Sequence, residues 1–170
     1  TDYSIIQKIF QFLIVGFSVV LSASWGLYSE ALIKNDFQWI RKNIKKMQLY
    51  FLGFVMVGLI IFFNIDIILR IWIGENMILL PKGIVFYNML YAFIFCFTNI
   101  YMFFINASNK MNLQMYLYIF GAIINIPLSI YFVKTLNNTT GVIISTLISI
   151  LPLMVLMPLQ TKVILKKLDV

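Results

Sequence analysis

The feature that most constrains this chain is a series of uninterrupted apolar runs. The first, "IIQKIFQFLIVGFSVVLSASWGLY", covers residues 5–28, and four more follow at 48–69, 84–105, 113–133 and 142–159. A helix needs about 20 mostly apolar residues to cross the hydrocarbon of a bilayer, and each run is close to that length. Inside a bilayer only helices and closed barrels satisfy every backbone polar group. These runs are continuous and do not alternate apolar with polar, so helices are expected and a barrel is not. Composition agrees: 62% of the 170 residues are hydrophobic and 11% are charged, against about a quarter charged in ordinary soluble domains. The reading is an all-α integral membrane protein, a polytopic helix bundle with five transmembrane helices in one domain, residues 1–170.

Charge sets the orientation. Four cations fall within six residues in "WIRKNIKKM": Arg41, Lys42, Lys45 and Lys46. With five spans, this linker, the turn at Lys110 and the tail carrying Lys162, Lys166 and Lys167 lie on one side, together with Lys34. The other side holds Lys8, Arg70, Lys82 and Lys134. Cytoplasmic flanks carry the excess of Lys and Arg, so the C-terminus is expected in the cytoplasm. Phe37, Ile40, Ile44 and Met47 recur at helical spacing with the cations opposite, and Asp36 suits an N-cap. These residues predict a separate cytoplasmic interfacial amphipathic helix over 37–47, held at the headgroups of membrane lipids. Arg41, Lys42, Lys45 and Lys46 would then serve as a topology anchor or guide an anionic headgroup.

Histidine is absent and Cys96 is the one cysteine. Neither a disulfide framework, a metal site, a cofactor nor a catalytic centre is expected, and nothing points to nucleic acid. Thr1 in place of Met, with an apolar run starting almost at once, is expected of a chain whose N-terminal part is missing. No basic leader precedes that run, so a cleavable signal peptide is not expected.

Four segments carry a family resemblance. "WGLYSEALIKNDFQWIRKNIKK" (25–46), "LRIWIG" (69–74), "NASNKMNLQ" (106–114) and "GAIINIPLSIYFVK" (121–134) together resemble bacterial O-antigen and capsule repeat-unit flippases. Those belong to the multidrug, oligosaccharidyl-lipid and polysaccharide exporter superfamily. Ala23 stands where the family often has a proline, and "ASN" (107–109) replaces its usual glycines. The resemblance implies a MATE-like two-lobe fold of twelve helices, of which this chain would supply spans eight to twelve. It would be a partial C-terminal lobe whose N-terminal lobe is missing. The implied function is flipping of undecaprenyl-pyrophosphate-linked oligosaccharide across the bacterial inner membrane by alternating access. Implied partners are that lipid-linked oligosaccharide, a polysaccharide polymerase and a chain-length regulator.

A flippase makes no bonds; it needs a polar route for a charged, sugar-bearing headgroup. Lys8 and Gln11 share a helical face and could meet pyrophosphate, although Lys8 could equally snorkel to the interface. Asn88 and Asn99, eleven residues apart, share a face, and Tyr91 accompanies them; they could line a sugar route or bond neighbouring helices. Asp66 and Arg70 are spaced to pair on one helix, as an interfacial ion pair or as an ion-coupling element. Glu30 could pair with Lys34, Asn125 with Pro127 suits a kink, and Trp25, Trp39 and Trp72 fall where interface anchors do. Competing readings are a MATE-like small-molecule exporter and a nontransporting membrane scaffold or truncated product. An enzyme acting on the same sugar units is disfavoured by the missing histidine and short outward loops.

Overall fold

The computed structural model describes residues 2–74 and 82–168. They form six helices and no strand: α1 (Asp2–Ile33), α2 (Phe37–Phe63), α3 (Ile65–Ile73), α4 (Lys82–Ala107), α5 (Asn112–Leu136) and α6 (Thr140–Leu168). All but α3 are long and apolar enough to cross a membrane. That matches an all-α polytopic membrane protein with five candidate spans.

The separate interfacial helix is corrected. Residues 37–47 are the first three turns of α2, which continues without a break to Phe63. No Gly or Pro falls between Asp36 and Gly53, so nothing stops the helix where charge gives way to apolar sequence. One buried stripe, Ile40, Ile44, Met47, Phe54 and Gly58, runs through both parts. At about 1.5 Å per residue α2 is on the order of 40 Å long, more than the hydrocarbon needs.

The predicted span 48–69 is interrupted instead at Asn64. Its side-chain amide donates to the Ile60 carbonyl at 2.8 Å, competing for a helix carbonyl as asparagine does. Asn64 caps the end of α2 and the start of α3. The nine-residue α3 buries Ile65 and Leu69 and exposes Asp66, Ile67, Arg70, Ile71 and Trp72. Pro81 lies outside the described residues, while Lys82 and Gly83 belong to α4.

Three asparagines close three helices in the left-handed conformation: Asn35 (φ 55°), Asn109 (φ 55°) and Asn137 (φ 51°). After glycine, asparagine bears this conformation best. At Asn35 the Asp36 N–H reaches back to the Ala31 carbonyl at 2.9 Å and the Asn35 N–H to Leu32 at 3.2 Å. The same pair of bonds recurs around Asn109, from Lys110 to Ile105 at 3.3 Å and from Asn109 to Asn106 at 3.1 Å. "ASN" therefore makes a tight turn without glycine. Asp36 then caps α2, its Oδ1 accepting from the Trp39 N–H at 2.9 Å.

The buried centre is α4, packed against α1, α2 and α6. Phe17, Phe51, Phe54, Phe93 and Phe97 form a chain of ring contacts between α1, α2 and α4, with centroids 5.0–6.5 Å apart. The Phe93 ring rests on Gly58, where a Cβ would come within 2.5 Å of it. Helix α5 packs chiefly on α6, and Gly121 is its one buried residue.

Candidate functional site

The basic stretch of α2 divides between two faces. Arg41 with Lys45 and Ile44 with Gln48 are each four residues apart on one side of α2, and all four line a cavity of about 420 Å³. Tyr101 of α4 and Thr161, Lys162 and Lys166 of α6 complete its polar lining. Lys42 and Lys46 lie about 100° further round α2. They line a second cavity, of about 380 Å³, with Trp39, Asn43 and Ser24 on the α1 side. The Lys46 ammonium sits 5.6 Å from the Tyr50 ring centroid, within cation–π range. The four cations read from sequence as one group thus serve two separate cavities.

The first cavity is a donor-rich concavity with no carboxylate in its lining among the described residues. Gln48 Nε2 donates to the Tyr101 hydroxyl at 2.6 Å, which leaves the Tyr101 proton to be donated elsewhere. Thr161 is buried, and its hydroxyl has no hydrogen-bond partner. Nearby, Gln160 Nε2 donates to the Lys110 carbonyl at 2.7 Å, tying the end of α6 to the α4–α5 turn. The start of α2, the α4–α5 turn and the end of α6 therefore meet at one end of the bundle. That end carries Lys34, Arg41, Lys42, Lys45, Lys46, Lys110, Lys162, Lys166 and Lys167. Glu30, also at this end, is paired with Lys34 across one helical turn. The Glu30 carboxylate holds the Lys34 ammonium above its usual pKa, through the hydrogen bond first and the charge second.

An uncharged polar cavity of about 280 Å³ lies between α1, α4 and α6. Gln7, Gln11, Asn88, Tyr91 and Thr146 supply its polar groups, and Phe10, Ile14, Val142 and Ile143 its apolar ones. Asn88 is 2% exposed and donates from Nδ2 to the Ile84 carbonyl at 2.9 Å. The Tyr91 ring stacks on Phe95 with centroids 5.8 Å apart.

Of the residues singled out in the sequence, Gln11, Asn88 and Tyr91 come together here. Lys8 does not line this cavity and is exposed; Gln7, one full turn from Gln11, takes the place expected of it. Asn99 also stays outside. It shares a face with Asn88, but eleven residues put it about 16 Å further along the helix. Asp66 and Arg70 are both exposed on α3, and no ion pair joins them.

Sequence alone did not single out Gln48, Thr161, Lys162, Lys166, Gln7 or Thr146. The available signal was spacing, since Lys162 with Lys166 and Gln7 with Gln11 repeat the four-residue step of Arg41 with Lys45. A polar seam between α5 and α6 was also missed. Asn125 Nδ2 donates to Thr146 Oγ1 at 3.3 Å and Ser149 Oγ at 3.4 Å, and the Ser129 and Ser145 hydroxyls lie 2.5 Å apart. Asn125 thus bonds across the helix pair, where the sequence reading tied it to a kink at Pro127.

These features define an all-helical bundle with five helices long and apolar enough to cross a membrane, a cationic cavity at one end and an uncharged polar cavity between α1, α4 and α6. Comparison with models of protein families, with curated proteins and with solved structures finds no match to this chain.

Proposed function

We propose that this chain is part of a flippase that carries an anionic, lipid-linked oligosaccharide across the bacterial inner membrane. One observation carries the reading: the exposed Gln7 and Gln11, the buried Asn88 and the half-buried Tyr91 and Thr146 gather around a single cavity between α1, α4 and α6. Amides, a hydroxyl and an aromatic face are the groups that meet sugars, and polar residues at membrane depth are costly unless they bond one another or serve a pathway. The lysine-rich end of the bundle favours an anionic cargo entering from the cytoplasmic leaflet. Neither cavity has a carboxylate in its lining among the described residues, which disfavours an organic cation as cargo. The four family-like segments supply the sugar-lipid identity and the MATE-like arrangement, in which α1, α2, α4, α5 and α6 would be five helices of one lobe. The exposed apolar faces of α1 and α5 would then meet lipid or the other lobe.

The test is translocation of a fluorescent lipid-linked oligosaccharide by the complete transporter in liposomes. Transport is expected, with Asn88→Leu and Gln11→Leu each slowing it at least about tenfold, the discrimination typical of losing a buried hydrogen-bonding partner. If no headgroup crosses, or if both variants transport at the parent rate, the reading is wrong.

A further inference from the structure

We propose that the cavity between α2, α4 and α6 is a binding site for a phosphate ester. The site needs only the cationic lining and its buried donors, and does not rest on the transport reading. Two helical pairs frame it: Arg41 and Lys45 on α2, Lys162 and Lys166 on α6. Each pair is spaced four residues apart, so each presents both charges on one face. Apposing like charges is unfavourable unless an anion lies between them. The acids of this end are Glu30, Asp36 and Asp169, of which Asp169 lies outside the described residues. Glu30 is occupied by Lys34, and the carboxylate of Asp36 accepts from the backbone at the α2 cap. Lys45, Lys162 and Lys166 have no carboxylate within ion-pair range among the described residues.

The interior of the cavity makes the case independently of its rim. Thr161 is 3% exposed and its hydroxyl is unpartnered. A buried hydroxyl left without a partner is costly, and a water, ion or ligand that completes it accounts for such a group; of the described residues so left, Thr161 is the one in this cavity's lining. Tyr101 accepts from Gln48 at 2.6 Å, so its O–H points its remaining capacity toward an acceptor. Cations, two hydroxyls and an amide, with no carboxylate in the lining among the described residues, suit an oxyanion with several acceptor oxygens. The volume, about 420 Å³, lies in the range of small-ligand pockets, roughly 300–1,000 Å³. Ile44, Pro158 and Leu165 supply an apolar wall, as needed for a phosphate that enters attached to a lipid. Basic pockets between membrane helices hold anionic headgroups in this way. The phosphate could come from an anionic phospholipid or from the diphosphate of a lipid-linked cargo.

The experiment is a titration of the full chain in a neutral detergent, read by thermal shift and native mass spectrometry. The probes are phosphatidylglycerol, inorganic pyrophosphate and, as a zwitterionic control, phosphatidylcholine. Saturable stabilisation by phosphatidylglycerol alone assigns a phospholipid headgroup. Saturable stabilisation by pyrophosphate assigns a diphosphate. Absence of both, or an equal response to phosphatidylcholine, overturns the proposal. Lys162→Gln/Lys166→Gln should weaken binding on the order of 30-fold, about fivefold per lysine. Lys42→Gln/Lys46→Gln removes the same charge from the other face of α2 and should change binding less than about twofold. Equal losses in the two pairs would mean a diffuse surface field and no site. Thr161→Val gives the decisive pair of readings. Without ligand it should melt higher, because an unsatisfied hydroxyl is gone, and its affinity for the active probe should fall at least about tenfold. A variant that merely misfolds cannot do both, and unchanged affinity would refute the site.

Discussion

The seam between α5 and α6 gives a prediction whose sign changes with position. A Cβ added at Gly141 would lie 2.5 Å from the Val133 nitrogen, 2.6 Å from the Phe132 carbonyl carbon and 2.9 Å from its oxygen. All three are backbone atoms, so no rotamer change relieves the clash. To restore ordinary contact the end of α5 must retreat by about 1 Å, and overpacking of this kind costs about 1–3 kcal/mol. Alanine also gains about 0.5–1 kcal/mol over glycine in a helix, so Gly141→Ala should lose about 1–2 kcal/mol net. At Gly121 the nearest atom is the Ser149 carbonyl oxygen at 3.0 Å. A shift of a few tenths of an ångström suffices there, and the two effects should nearly cancel. Gly53 has nothing within 4 Å, so Gly53→Ala should gain the full helix preference.

Thermal unfolding in detergent should therefore rank Gly53→Ala above the parent, Gly121→Ala near it and Gly141→Ala below it. A local readout ties the loss to this seam. The Ser129 and Ser145 hydroxyls are 2.5 Å apart, and Cys96, the one native cysteine, is buried. A Ser129→Cys/Ser145→Cys pair should crosslink readily, and Gly141→Ala should slow that crosslinking while leaving α1–α4 contacts intact. If Gly141→Ala melts as high as Gly53→Ala, then α5 does not pack on α6 as described.

Two further outcomes test other joints. Asp36→Ala removes the α2 cap and should cost about 1 kcal/mol; hydrogen exchange should rise around Trp39, Asp36→Asn should restore protection, and unchanged exchange would refute the cap. A double-mutant cycle on Asn125→Val and Ser149→Ala should give a coupling of about 0.6 kcal/mol, the average for such bonds between membrane helices; a coupling indistinguishable from zero would mean the seam is apolar packing alone.

The spans were legible because a membrane-length helix needs only local information, the apolar run itself. Their ends were less so. Glu30 and the residues after Tyr28 stay helical because the stop signal is Asn35, seven positions beyond the last apolar-run residue, and a left-handed asparagine is a weaker mark in sequence than glycine. The interfacial helix over 37–47 was misread for a related reason. A change in polarity resembles a boundary, but helices end at caps and breakers, and none lies between Asp36 and Gly53. Asn64 is the actual break because its side chain competes for a helix carbonyl.

The cavities show where local reading stops. Periodicity places residues on the same face of one helix, so Arg41 with Lys45 could be read from the chain. Which neighbour that face meets depends on how α2 is rotated about its axis, and rotation is set by the buried stripe. Here Ile40, Ile44, Met47 and Phe54 turn toward the bundle, which leaves Arg41 and Lys45 on the flank toward α6 and Lys42 and Lys46 on the flank toward α1. The stripe continues unbroken from the charged turns into the apolar ones, so the cation pair is fixed to the packed core. A separate helix lying on the membrane surface could not hold Lys45 in register with Lys162 across the cavity. The continuity of α2 is thus what allows charges from opposite ends of the sequence to face one cavity.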